Sequence, residues 1–293
     1  MRTIRSCFIP RKGRQLAEID FKGAEVRVAA CYNKDPVLIN YIKDDKTCMH
    51  RDTAMQLFGL TKDQVDKKTT RDWSKNRFVF PEFYGSIYAQ CAPHLWEAVT
   101  AEKDIIPGLG ISVKKHLENQ GITRLGLCDP KVKPLTGTFE ARVKKVEESF
   151  WNERFVVYAK WKKKWWEEYQ KNGFYQTKTG FIIQWGKAGT LSRNDCINYG
   201  IQGSSFHCLL WVLIKLQNWL MKYEMNSLIV GQIHDSIIMD LDPEEKDYVF
   251  AKVKRLIEVE LPKHWDWLIV PMAAEAEIAP VDEPWCNKKE VVL

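Results

Sequence analysis

The order of apolar and polar positions divides the 293-residue chain into elements of distinct type. Residues 15–20, with the run Leu16-Ala17-Glu18-Ile19-Asp20, predict a strand. Residues 24–32 predict a strand or turn that passes into a helix. Residues 50–59 have helical spacing and stop at Gly59. Residues 68–79 predict a polar helix that meets Pro81, where the missing N–H should end or bend it. Residues 100–138 differ in texture. Pro107-Gly108-Leu109-Gly110 and Cys128-Asp129-Pro130 are turn-rich and predict an inserted, variable segment. Residues 139–172 predict one long helix closed by Gly173. Within it, Trp161-Lys162-Lys163-Lys164-Trp165-Trp166 reads either as packed Trp with solvated Lys or as a phosphate-tracking face. Residues 202–223 predict a buried amphipathic helix with Phe206, Leu209, Leu210, Leu213, Leu216, Trp219 and Leu220 on or near one side. Residues 227–240 predict a β-hairpin turning at Gln232-Ile233-His234-Asp235. Asp242-Pro243-Glu244-Glu245 then predicts a helix start, with Asp as cap, Pro in first position and acids in the first turn. That helix should run to about Glu260. The order gives an α+β fold whose small antiparallel sheet carries both Asp20 and Asp235.

Composition narrows the class. Hydrophobic residues make up 45% of the chain, enough for a sizeable core, and the net charge of +6 permits a polyanionic partner without demanding one. The eight cysteines include no Cys-x-x-Cys, which argues against a zinc site and for reduced thiols in a cytosol. No run is apolar enough to span a bilayer and no leader pattern opens the chain. A cytoplasmic protein without a membrane partner is therefore predicted.

The candidate chemistry lies in the two aspartates and in what separates them. Asp20 and Asp235 both stand where a buried strand ends or turns. A lone Asp in such a place is most often a cap or turn residue. Two carboxylates brought together there repel unless a cation lies between them. Magnesium is the usual hard-oxygen partner, and it bridges to phosphates. Between the aspartates, Arg71 and Lys75 stand four apart on one helical face. They are followed by Phe78, Phe80, Phe83, Tyr84 and Gly85. Cations at that spacing suit a triphosphate, and rings beside them can stack on a base.

Four segments in order resemble the polymerase core of family A DNA polymerases, the DNA polymerase I and phage replicase group. They are Asp20-Phe21-Lys22-Gly23-Ala24-Glu25-Val26-Arg27, Arg71-x-x-x-Lys75 leading to Phe83-Tyr84-Gly85, Asn198-Tyr199-Gly200-Ile201-Gln202-Gly203-Ser204, and Gln232-Ile233-His234-Asp235. His50, in a Met-His-Arg-x-Thr-Ala context, is similar as well. The resemblance covers roughly residues 1–99 and 139–275. It implies a right-hand polymerase palm over 1–60 and 180–293 and helical fingers over 61–179, with 100–138 as a variable insert. It implies that Asp20 and Asp235, with the Phe21 carbonyl, hold two Mg2+ ions. Lys75 would join them in catalysis. Glu25, His50, Arg71, Lys75, Phe80 and Tyr84 would bind the dNTP, and Arg27, Asn198, Gln202 and His234 would contact primer-template DNA.

The chain also departs from the family pattern. One extra residue separates Lys75 from Tyr84, with Pro81-Glu82 inside, so either Val79 or Phe80 stands where the sugar 3′ position is read. Ser236 replaces the acid that usually follows the last aspartate. No counterpart of the thumb, the exonuclease-like domain or the upstream palm is recognisable. These departures imply a split or truncated polymerase whose second chain supplies the thumb and exonuclease domains. The competing expectations are an inactive DNA-binding or scaffolding remnant, a metal nuclease, and a single-subunit RNA polymerase-like enzyme. Intact Asp20, Asp235, Arg71 and Lys75 argue against the remnant, and Glu25 favours DNA over RNA synthesis.

Overall fold

A computed structural model of the protein describes residues 2–44, 46–101, 105–184 and 191–293. Three residues of the turn-rich segment 100–138 thus lie outside the described residues. The elements are α1 (Arg2–Arg5), β1 (Gln15–Phe21), α2 (Ala24–Asn33), α3 (Pro36–Lys43), α4 (Met49–Phe58), α5 (Thr70–Ser74), α6 (Phe80–Phe83), α7 (Tyr88–Ala101), α8 (Val113–Asn119), α9 (Phe139–Ser149), α10 (Val156–Asn172), β2 (Phe174–Gln176), β3 (Ile182–Gln184), α11 (Arg193–Lys222), β4 (Leu228–Ile233), β5 (Ser236–Leu241), α12 (Lys246–Arg255), α13 (Leu261–His264), β6 (Ala274–Ile278) and β7 (Lys289–Val291). They fall into two compact units. One comprises Met1–Lys34, Phe174–Gln184 and Tyr199–Leu293, and the other Asp35–Gly173 and Trp185–Asn198. Residues 35–60, which the resemblance groups with the palm, lie in the second compact unit, with α3 and α4.

The first unit is built on an antiparallel sheet in the order β4-β5-β1-β6-β7. β1 is central because its apolar positions serve both faces. Leu16, Ala17, Ile19 and Phe21 are buried, and all six residues of β5 beside it are buried too. Leu16, Ile238, Ala279 and Trp285 form a small core cluster. Trp285 Nε1 donates to Glu18 at 2.9 Å, and Lys288 pairs with the same carboxylate, so the acid in the middle of β1 has partners. The helix over 24–32 begins at once, at Ala24. Gly23, left-handed at φ 59°, turns the chain sharply out of β1. The expected hairpin is present, with a two-residue turn closed by the Ile233–Ser236 pair and His234 at φ 53°.

Two expectations in this unit are corrected. The helix expected over 202–223 begins at Arg193. Ser192 Oγ accepts from the Asp195 N–H at 3.1 Å and donates to the Asp195 carboxylate at 2.7 Å, which caps the longer helix. Of the residues expected on its buried side, Leu209, Leu216 and Leu220 are buried, whereas Phe206 and Leu210 are exposed, on a face shared with exposed Ile214 and Met221. The helix expected from Asp242 starts only at Lys246. Asp242 caps a turn instead, accepting from Glu244 N at 3.0 Å and pairing with Arg14. Glu245 turns back to take the N–H groups of Asn226 at 2.8 Å and Ser227 at 2.9 Å.

The second unit is helical. Its core is aromatic, with Phe78, Phe83, Phe150, Phe155 and Tyr158 at centroid separations such as 4.7 Å for Phe150–Phe155 and 5.2 Å for Phe83–Tyr158. The long helix expected over 139–172 is interrupted. A π turn at Phe150–Arg154 leads to Phe155 at φ −108°, ψ 47°, after which α10 starts. Asp35 secures that break. It is 1% exposed, caps α3 through the N–H groups of Val37 at 2.9 Å and Leu38 at 3.2 Å, and takes the Tyr158 N–H at 3.0 Å. Along α10, Lys163 and Lys164 are solvated and pair with Glu167 and Glu168, whereas Lys162 is buried.

Pro81 does not end its helix. α5 widens into a π turn, Lys75–Val79, and α6 carries the proline through to Phe83. The wide turn closes from Phe80 N to Lys75 O. It thereby relaxes the turn that proline would otherwise crowd. Pro262 follows another π turn, Leu256–Glu260, in the same way.

Replacing Asp35 with Ala should strip three N–H groups of their buried acceptor and cost about 2–4 kcal/mol in urea unfolding. Asp35→Asn should cost less. Equal, negligible losses in both variants would contradict this role.

Candidate active site

Sheet pairing fixes the aspartates. Asp20, the penultimate residue of β1, stands opposite Ser236 on β5, and the Phe21 N–H donates to the Asp235 carbonyl at 3.3 Å. The hairpin turn is thus pinned to the end of β1, and the two carboxyl groups share a hydrogen bond. Burial, reinforced by Asp235, pushes Asp20 up to about 7. Glu275, opposite Asp20 on β6, adds to the negative field. Its alternating setting in Ala274-Glu275-Ala276-Glu277 is the one sequence signal for this position. Lys22 lies 3.5 Å from Glu275 on the rim. Ser236, where the family pattern has an acid, donates to the Ile233 carbonyl at 2.8 Å and closes the hairpin.

Glu25, in the first turn of α2, has its carboxyl raised by burial and then by Asp235, while His234 lowers it. It therefore belongs to the same acidic centre. Arg27, two residues further along that helix, donates from Nε to Lys22 O at 2.7 Å and also to the Pro271 carbonyl. Its guanidinium braces the loop around Gly23. Gln202 is exposed on α11. Among the described residues no group of three or more His, Cys, Asp or Glu side chains is placed to hold a metal ion. The Asp20–Asp235 pair is a two-carboxylate, oxygen-only donor set, and the Phe21 carbonyl is the main-chain oxygen beside it.

In the helical unit the predicted residues also come together. Lys75 Nζ lies 5.3 Å from the centre of the Phe80 ring, His50 meets that ring edge-on at 5.6 Å, and Tyr84 lies 6.4 Å from it. Arg71 Nε donates to Cys48 Sγ at 3.3 Å, beside His50. Burial, then Arg71 and Lys75, push His50 down to about 3, which keeps its imidazole neutral. Its Nδ1 is buried without a partner. Val79 is fully buried whereas Phe80 is partly exposed beside Lys75, so Phe80 is the ring on this face. The π turn explains the extra residue. It closes over five residues instead of four, so Tyr84 stays on the Lys75 face despite the longer spacing.

The corner after Tyr84 is tightly specified. Asn198 Nδ2 donates to the Tyr84 carbonyl at 3.2 Å. Gly85 has φ 93°, and a Cβ there would fall 2.1 Å from Asn194 Oδ1. Only glycine fits, on backbone and on space.

Comparison with known proteins gives one family. The model of DNA polymerase family A matches residues 1–104 and 132–283. DNA polymerase I of Aquifex aeolicus is 23% identical over 284 residues, 97% of this chain and 41% of its own length. The DNA polymerase of Bacillus phage SP01 is 25% identical over 277 residues, 91% of this chain and 26% of its own length. Among solved structures, the polymerase domain of Pol1 from M. smegmatis, in complex with DNA primer-template and dNTP, superposes with a TM-score of 0.69 at 17% identity. That match covers 98% of this chain and 42% of the solved one. The fold is therefore that of a DNA polymerase I polymerase domain, and the chain spans less than half the length of these relatives.

Because Asp20 keeps in the native state a proton that the unfolded chain releases, its contribution to stability is present below about 3.8 and is lost as pH rises through about 7. Metal-free protein should therefore lose thermal stability over that window. Asp235→Asn should flatten the loss, and Mg2+ should stabilise the wild type near neutral pH but not the variant. Parallel melting profiles for both proteins would count against the coupled pair.

Proposed function

The chain belongs to DNA polymerase family A, and on that premise we propose that it performs template-directed DNA synthesis, transferring a nucleotide from a dNTP to a primer 3′-hydroxyl. The observation that carries this reading is the coupled pair Asp20–Asp235, two carboxyl groups pressed together where a cation would relieve them. Two Mg2+ ions would be held by Asp20, Asp235 and the Phe21 carbonyl, a donor set of the hard-oxygen kind that magnesium prefers. When bound, such ions activate the attacking hydroxyl and stabilise charge on the leaving pyrophosphate.

The other residues take roles that their settings favour. Arg71 and Lys75 neutralise the triphosphate, and Lys75 gives a proton to the leaving group. Neutral His50 would donate a ring N–H to phosphate. Phe80 stands at the sugar 3′ position and Tyr84 packs near the nascent base pair. Glu25, beside Asp235, crowds the sugar 2′ position and selects deoxynucleotides. Arg27, Asn198, Gln202 and His234 meet primer and template. Arg27 acts partly through the Gly23 loop, and Asn198 partly through the Tyr84 carbonyl it already holds. The sheet-bearing unit serves as palm and the helical unit as fingers, with residues 35–60 counted in the latter.

A further polypeptide region completes the enzyme, supplying thumb and exonuclease functions from the same or a separate chain. Its support is surface chemistry. Phe206, Leu210, Ile214 and Met221 form an exposed apolar row along α11, and β4, with Leu228 and Val230 exposed, is an uncovered sheet edge. Such edges are normally covered in natural proteins.

Primer extension on a recessed DNA template with Mg2+ and four dNTPs tests the reading. Asp20→Ala and Asp235→Ala should each reduce extension by about 10³-fold or more, and Arg71→Ala by about 10²-fold. Glu25→Ala should raise ribonucleotide incorporation. Extension that survives either aspartate substitution would overturn the proposal.

A further inference from the structure

A buried charged cluster ties the Tyr84 corner to the rest of the helical unit, and none of the roles above uses it. Its centre is Glu82, 1% exposed, in the segment that departs from the family pattern. Trp151 Nε1 donates to Glu82 Oε2 at 2.8 Å, and Lys162 Nζ donates to the Glu82 main-chain carbonyl at 3.2 Å. Lys162 Nζ also lies 3.3 Å from the centre of the Trp151 ring. The Glu82 carboxyl shares a hydrogen bond with Glu147, whose Oε1 accepts the Tyr88 N–H at 2.7 Å. Cys91 donates weakly to Glu82 Oε1 at 3.8 Å. Glu148 faces Glu147, and Arg193 faces Lys162.

The charge count is informative. Buried Glu82 and Lys162 and half-buried Glu147, if all ionised, leave one negative charge in excess. A single proton shared by the two carboxyls closes the balance. Burial would otherwise be costly for the unmatched charge. The geometry bears on the corner directly, because Glu82 is held from both ends of its residue. Its side chain goes to Trp151 and Glu147 and its carbonyl to Lys162, two positions before Tyr84.

We propose that Glu82, Glu147 and Lys162 form a one-proton positioning unit that fixes the Phe83-Tyr84-Gly85 corner, and that release of this proton lets Tyr84 move. Its consequence for nucleotide selection rests on the polymerase reading, while the positioning itself does not. Burial pushes Glu82 up to about 8 and Lys162 down to about 7. The two shifts act oppositely on stability. The raised Glu82 loses its stabilising contribution as pH rises from 4.5 through about 8, whereas the penalty from the lowered Lys162 is relieved only as pH rises from about 7 to 10.5. The two windows meet between about 7 and 8, where a melting scan mixes them, and the proton is better read locally.

The indole N–H resonance of Trp151, assigned with Trp151→Phe, provides that reading in the intact chain without DNA. It should titrate with a midpoint near 8, and the Tyr84 amide should move with the same midpoint. In Glu82→Gln the response near 8 should vanish from both resonances, leaving on Trp151 only that of the neighbouring Lys162 near 7. Glu147→Gln, which keeps a hydrogen-bonding partner but no acid, should shift the midpoint. A Trp151 resonance flat across neutral and mildly alkaline pH, or one unchanged in both Gln variants, would overturn the shared proton. A titrating Trp151 with a stationary Tyr84 amide would reduce the cluster to an anchor and overturn its positioning role. Neither readout depends on nucleotide transfer, so failure here and failure of the polymerase reading are separable.

Discussion

The structure depends on a short piece of antiparallel pairing that forces two carboxylates together. β1 and β5 pair so that Asp20 and the Asp235 turn share one end of the sheet, with the Phe21 N–H on the Asp235 carbonyl. Sheet pairing of this kind gains its energy along the whole ladder and from apolar burial on both faces of β1. The repulsion at its end is small beside that sum, so the fold can hold the acids in place. The acids then respond by keeping a proton, and the proposed role of the site is to exchange that proton for a cation. Glu25, Glu275 and His234 tune the field there, and the absence of an acid at position 236 leaves the hairpin closed by a serine hydroxyl.

The helical unit solves a different problem with a similar economy. One inserted residue and one proline stand between Lys75 and Tyr84, and either should disrupt an α-helix. Together they are accommodated by a π turn, which takes up the extra residue and eases the crowding at Pro81. The cost of the opened turn is met by neighbours. Lys162 holds the Glu82 carbonyl, Asn198 holds the Tyr84 carbonyl, and Asn194 packs against Gly85. Cationic and aromatic side chains thus stay on one face although their spacing along the chain is irregular.

Much of the fold was legible because β1, the hairpin and α4 carry strong local patterns. The misplaced boundaries have local causes. α11 begins nine residues before its expected start, where Ser192 and Asp195 cap it. The α12 start was placed at Asp242 because a good cap sequence was drawn instead into a pair with Arg14. The break at Phe155 is set by tertiary contacts, through Asp35 and a ring cluster, and no periodicity records it. The candidate site was legible where motifs carried it, at Asp20, Arg71, Lys75 and Asp235. Glu275 and the Glu82 cluster escaped notice because their meaning lies in cross-strand and interhelical neighbours. The difference in burial between Val79 and Phe80 is likewise absent from the spacing of the motif.

The central claim is that the β1–β5 register builds a cation site from Asp20 and Asp235. Mn2+ binding followed by electron paramagnetic resonance, in the presence of DNA and a non-hydrolysable dNTP, tests it most directly. The account predicts bound Mn2+ in the wild type and its loss in both Asp20→Asn and Asp235→Asn. Binding that is undiminished in either variant would contradict it.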